Sequence, residues 1–201
     1  MLRNDKDFQA FEQVMLEAHR HVPMRILSYG LMSTHWHFIV WPRADGELSA
    51  FFRRLAHTHA MRWRVTHRTV GDGHLYQGRF KSFAVQTDEH LLTVARYVER
   101  SALSAKLVER AEDWRWGSLW TRRHGEPEMR ALLVDGPVAR PRNWVRLVNQ
   151  PLTERELSRL KPSLERGRPF GDDRWLARTV KALDLEHTIR REGRPSTKAS
   201  E

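Results

Sequence analysis

The chain has no cysteine among its 201 residues. Disulfides, thiolate zinc sites and cysteine nucleophiles are therefore excluded, and any metal must be held by His, carboxylate, amide or water. A reducing compartment is consistent with this, and the expected location is the cytoplasm, associated with the nucleoid. No stretch approaches the roughly 18 apolar residues of a spanning helix, mean hydropathy is −0.66, and no membrane partner is expected. The opening MLRNDKDF lacks the pattern of a secretory leader. Acidic residues are also in deficit. Only 25 Asp and Glu stand against 35 Lys and Arg, which leaves +10 at neutral pH. A field of that sign favours polyanions, chiefly nucleic acid, and residues 1–125 and 126–201 are both basic.

A hydrophobic fraction of 40% supports a buried core. Residues 5–21 read as a helix with Phe8, Phe11, Met15 and Ala18 near one face and Asp5 or Asp7 as cap, ended by Pro23. MRILSYGLM and HWHFIVWP read as two strands joined by a Ser33-Thr34 turn. A helix follows from Leu48 to about Arg68. HLYQGRFKSFAVQ alternates like a strand, with Gly78 as a bulge. Thr87 or Asp88 caps a further helix through Ser101. After residue 125 the Pro- and Gly-rich texture of GEPEMRALLVDGPVARPRNW predicts a linker or extended structure, then a capping-box helix from Thr153 and another over about 173–186. REGRPSTKASE at the end reads as disordered. The expected division is thus a domain over 1–125 and an appendage over 126–201. Short connections between consecutive strands imply an α+β sandwich, an antiparallel sheet backed by helices.

The segment STHWHFIVWP carries the first candidate chemistry. Strand period sends His35, His37, Ile39 and Trp41 to one face. Their imidazoles start about 7 Å apart at the Cα level, within reach of one divalent ion. A metal pair and a pair of satisfied core histidines both fit that pattern. On the helix over 88–102 the apolar stripe is Leu91, Val94, Ala95, Val98 and Ala102, and Tyr97 sits off it. Its hydroxyl either rests in water at the core edge or is available for chemistry. A phenol, with a pKa of about 10, is a poor nucleophile at neutral pH. Beside a divalent ion on a phosphodiester, attack becomes feasible, and the tyrosyl ester is reversible.

Several motifs in order then resemble one family. HWH is similar to the His-hydrophobic-His signature of HUH nucleases. HLYQGRFKS, ARYVERSAL and LVERAEDWRWGSLW resemble the REP-associated tyrosine transposases, relatives of single-tyrosine insertion-sequence enzymes. The resemblance covers about residues 5–121, and more loosely RPRNW and RGRPFGDDRW. It implies a ferredoxin-like sheet and a helical C-terminal appendage. It also implies His35 and His37 as ligands of Mg²⁺ or Mn²⁺, with Tyr97 as the nucleophile. The implied substrate is single-stranded DNA forming hairpin or palindromic repeats, attacked through a 5′-phosphotyrosine intermediate. Ser101 stands where relatives place an Asn or Gln ligand, so it is a weaker third ligand. Met32-Ser33-Thr34 replaces their Met-Pro-Asn. The chain starts after the strand that opens relatives, for which a misassigned start codon is the expectation and a decayed gene the alternative.

Arg79 and Lys81, alternating on the expected strand, are candidate phosphate contacts, with Gln77 as a polar partner; a solvated face is the alternative. Arg53, His57 and Arg64 form a basic helical face suited to a DNA backbone or simply to water. RGRP, with Arg166 and Arg168, and EGRP at 192–195 resemble minor-groove arms. Trp114, Trp116 and Trp120 read as core before base-stacking platforms. Two functions follow: a strand-transferring DNA enzyme, or a catalytically impaired descendant that binds structured single-stranded nucleic acid. A His-ligated hydrolase unrelated to nucleic acid is disfavoured by charge and motif order, and oligomeric state is not readable.

Overall fold

The computed structural model describes residues 1–71 and 73–190. Contacts divide the chain into two units, Met1–Phe80 with Thr87–Thr153, and Lys81–Gln86 with Glu154–Glu201. EGRP and the REGRPSTKASE tail lie outside the described residues.

In the first unit, α1 spans Asp5–His21. Its cap is Asn4, one residue before the expected acids, whose side chain accepts from the Asp7 amide. Strands β1 (Arg25–Leu31) and β2 (Trp36–Trp41) pair antiparallel, with Tyr29 opposite Phe38 and Gly30 opposite His37. Helix α2 spans Glu47–His67 and α3 spans Glu89–Ser104. Asp88 caps α3 through the His90 amide. Short helices α4 (Ser118–His124), α5 (Pro127–Ala131) and α6 (Trp144–Asn149) complete the unit. This antiparallel sheet flanked by helices is the expected α+β class and is consistent with the ferredoxin-like arrangement.

Strand alternation builds two layers of contact. Tyr29, Trp36 and Phe38 turn to a core of Phe8, Phe11, Met15, Phe51, Phe52 and Leu55 from α1 and α2. Trp36 stacks on Phe52 at 5.4 Å between centroids. Removing one such buried aromatic side chain costs about 3–5 kcal/mol. The opposite face of the sheet meets α3, whose stripe residues Leu91, Val94, Ala95, Val98 and Ala102 are all buried.

The outer edge of β1 is covered without a further strand. Leu31 N–H donates to the Trp116 carbonyl at 2.9 Å, and Val134 N–H to the Ile26 carbonyl at 3.0 Å. Between them, the Leu27 carbonyl accepts from the guanidinium groups of Arg122 (3.1 Å) and Arg140 (2.9 Å). Backbone groups at an edge must find donors or acceptors, and arginine forks supply them here.

Two sequence expectations are corrected. Residues 74–86 form no strand; among them only Val85 makes an isolated bridge, to Phe170 within the second unit. The apolar spacing arises from anchoring instead. Phe80 lies 5.0 Å from Phe52, and the Tyr76 hydroxyl pairs with His59 Nδ1 at 2.7 Å. Gly78 therefore forms no bulge, and Arg79 and Lys81 share no strand face. Residues 125–144, expected as linker or extended structure, instead carry α5 and bury Met129, Leu132 and Trp144 in the first unit.

The second unit contains α7 (Glu154–Arg166), opening where the capping box predicts, and α8 (Asp173–Ala182). The latter stops four residues short of the expected end, with a single 3-10 turn over Glu186–Thr188. Residues 84–86 lie alongside 170–172, with Gln86 N–H donating to the Phe170 carbonyl at 2.9 Å.

Candidate metal and nucleophile site

The turn before β2 is closed by Met32 N–H on the His35 carbonyl at 2.8 Å and by Leu2 N–H on the Ser33 carbonyl at 2.8 Å. It delivers His35 exposed at the mouth of the strand and His37 partly buried one pleat further on. Their ring centroids are 4.8 Å apart, at 70°. His35 Nδ1 pairs with the Thr34 hydroxyl at 3.0 Å, and among the described residues no hydrogen bond engages its Nε2. Among the described residues no hydrogen bond engages the His37 ring. Burial holds both imidazoles below their usual protonation range, and His37, also repelled by His35, is pushed down to about 4. Both rings are consequently neutral at physiological pH, the form that binds a metal.

Tyr97 arrives from α3, which crosses this face of the sheet. Its ring centroid lies 5.5 Å from that of His37, edge-on at 64°. Two side chains 60 positions apart are thus neighbours. Burial raises the phenol above its ordinary value, so it is protonated at rest. Ser101 sits one helical turn beyond Tyr97 and points at β1. A Cβ added to Gly30 would stand 3.0 Å from its Oγ. Gly30 pairs with His37, so Ser101 lies beside the histidine strand. Its hydroxyl donates to the Val98 carbonyl at 2.8 Å. Lone pairs on Oγ remain, but the group is short and oriented inward.

The donor set fits a divalent ion. It offers two neutral imidazole donors side by side, with the Tyr97 phenol facing them from α3. A second set is also capable of coordination: Asp88, Glu89 and His90 hold ligand atoms within 4.8 Å of one another. Asp88 Oδ1 is already engaged there, accepting from the His90 amide at 2.9 Å and pairing with Nδ1 of the same residue at 2.7 Å. Tyr97 is seven residues further along the helix, about 10 Å in rise.

The remaining candidates are dispersed. Arg53, Gln77 and Arg79 are exposed in the first unit, and Arg64 donates to the Gly73 carbonyl. Lys81, Arg166 and Arg168 belong to the second unit, where Lys81 reaches the Glu165 carbonyl at 3.4 Å and Arg166 the Arg190 carbonyl. Trp116 is core, stacked on Phe8 at 4.9 Å. Trp114 donates to the Leu31 carbonyl at 2.9 Å.

Sequence reading missed two groups. Glu99, two residues beyond Tyr97, is a fully buried carboxylate with four donors around it. Its signal is an acid at the edge of an otherwise apolar stripe. Tyr76 and His59, joined by Trp36 Nε1–H donating to the Tyr76 oxygen at 3.4 Å, anchor the 74–80 segment from the other face of the sheet. His59 is almost fully buried, a histidine on the apolar face of α2.

One comparison with known proteins gives a match. The model of the IS200-like transposases matches residues 1–101, half of the chain, and the chain belongs to that family. No curated protein and no solved structure matches it. Membership supports DNA nicking of the transposase kind, and nucleic-acid binding, in general terms. The matched span includes His35, His37, Tyr97 and Ser101 and stops before α4.

Proposed function

We propose that the chain nicks and rejoins single-stranded DNA at hairpin or palindromic repeats, using Tyr97 as nucleophile and His35 and His37 as ligands of Mg²⁺ or Mn²⁺. The observation that carries this is the 5.5 Å approach of Tyr97 to His37, beside the His35–His37 pair. A bound divalent cation supplies Lewis-acid stabilisation of charge on the phosphoryl oxygens. His35 and His37 would hold it, as neutral rings. Tyr97 Oη forms a bond to phosphorus as the bond to the 3′ oxygen breaks. The phenolic proton passes to water, and the departing 3′ oxygen takes one up. The reverse attack by a 3′ hydroxyl reseals the strand and frees Tyr97. Exposed Arg53, Gln77 and Arg79 suit the phosphate backbone.

The test is incubation of the protein with 3′-labelled hairpin DNA and Mn²⁺, beside Tyr97→Phe. A denaturation-resistant protein–DNA adduct is expected for the wild type and none for the variant. A second reading, a structured single-strand binding protein without turnover, is favoured by the Ser101 hydroxyl being committed to Val98. Hairpin binding with no adduct in either protein would establish it and overturn the first.

A further inference from the structure

The Glu99 carboxylate gathers the first unit around α3. Oε1 accepts from Ser28 of β1 at 2.8 Å, from Ser118 of α4 at 2.9 Å and from Arg140 at 3.3 Å. Oε2 accepts from Nε1–H of Trp144, on α6, at 2.7 Å. Arg140 also donates to the Ser28 hydroxyl at 2.9 Å, so the cluster closes on itself. The side chain is fully buried. Stability alone does not account for such a group. Well-packed apolar residues commonly replace a buried ion pair at little loss, whereas a satisfied polar network dictates one orientation.

Orientation is what the neighbouring chemistry requires. On α3 the buried stripe has Tyr97 at one edge and Glu99 at the other, about 200° apart around the helix. Clamping the Glu99 edge fixes the roll of α3, and the roll sets where the Tyr97 ring stands over His37. A roll of about 10° moves a point ~6 Å from the helix axis by roughly 1 Å. Displacements of that size cost about 100-fold in rate when reacting groups must be aligned.

We infer that Glu99 is a positioning residue for Tyr97, and that Ser118, Arg140 and Trp144 extend the nucleophile site into the part of the chain beyond the family-matched span. This rests on the reading of Tyr97 as nucleophile, and it assigns Ser118, Arg140 and Trp144 a role in the reaction rather than in the fold alone. Glu99→Gln places an amide NH₂ among donors, and Trp144→Phe deletes one donor while keeping the ring.

The experiment compares full-length wild type, Glu99→Gln and Trp144→Phe. It reads hairpin affinity, adduct rate at saturating DNA with Mn²⁺, and the nuclear Overhauser contact between the Tyr97 and His37 rings in DNA-free protein. The expected result is hairpin affinity within about twofold, a rate fall of about 10- to 100-fold for Glu99→Gln and a smaller one for Trp144→Phe, and a weakened ring contact. Unchanged rates with an intact ring contact would overturn the inference, as would affinity and rate falling together with that contact intact. Should Glu99→Gln fail to fold, Trp144→Phe carries the same criteria. Should the wild type form no adduct, the proposed function fails, and the ring contact alone decides: lost in the variants it supports the positioning role, retained it refutes it.

Discussion

Gly30→Ala is the substitution that most directly probes how α3 is seated. Gly30 faces α3, and a Cβ there would stand 3.0 Å from Ser101 Oγ and 3.0 Å from the Val98 carbonyl oxygen. Ser101 can rotate away, at the loss of its own bond to that carbonyl. The Val98 oxygen belongs to the helix backbone and yields only if α3 itself lifts. Regaining ordinary contact needs a displacement of about 0.5 Å, adjacent to Tyr97. Overpacking of this kind destabilises by about 1–3 kcal/mol. The stiffer unfolded chain of alanine offsets about 0.4–1 kcal/mol of it. The net expectation is about 1–2 kcal/mol, or roughly 2–8 °C in Tm for a chain of this size. Urea denaturation followed by circular dichroism measures it. Gly78→Ala, at a site with nothing within 4 Å, is the control and should stay within about 0.5 kcal/mol. If Gly30→Ala is as stable as the wild type, the close seating of α3 on β1 is wrong, and the placement of Tyr97 falls with it.

Tyr76→Phe strips the hydroxyl that serves His59 and Trp36, leaving buried polar atoms unmatched; a loss of about 1–3 kcal/mol is expected in melting experiments, with faster proteolysis within 74–80. Glu12→Gln tests a partly buried acid. Burial pushes Glu12 up to about 7, above its usual value, although the Tyr29 hydroxyl donates to it at 3.3 Å. The folded state therefore binds the proton more tightly than the unfolded one, and stability from this group is lost as pH rises from about 4.5 to about 7. Melts should show Glu12→Gln gaining on the wild type at pH 8 and matching it near pH 4; a gap independent of pH would refute the burial argument.

Local signals carried far in this chain and long-range ones did not. The bounds of α1, β1, β2 and α3 follow from caps and periodicity that lie within each element, as Asp88 does for α3. The 74–86 segment misled because its aromatics alternate with polar residues. That spacing came from Tyr76 reaching His59 and Phe80 reaching Phe52, partners no local pattern reveals. Residues 125–144 misled for a related reason: their Pro and Gly content reads as linker or extended structure, while a few buried side chains, Trp144 foremost, hold them in the core.

The site divides along the same line. The candidates His35, His37 and Tyr97 could be picked out because each stands out against its own element, the histidines in an apolar strand and the tyrosine off an apolar stripe. Glu99 could not, since an acid beside Arg100 on a helix reads as surface charge until Ser28, Ser118, Arg140 and Trp144 are brought to it. Three of those four partners lie beyond the residues that match the family. The histidine and tyrosine candidates therefore sit within the matched half, and most of the donors that hold Glu99 lie in the other. A chain trimmed to the matched residues would keep both histidines and the tyrosine, yet lose three of the four donors that hold Glu99.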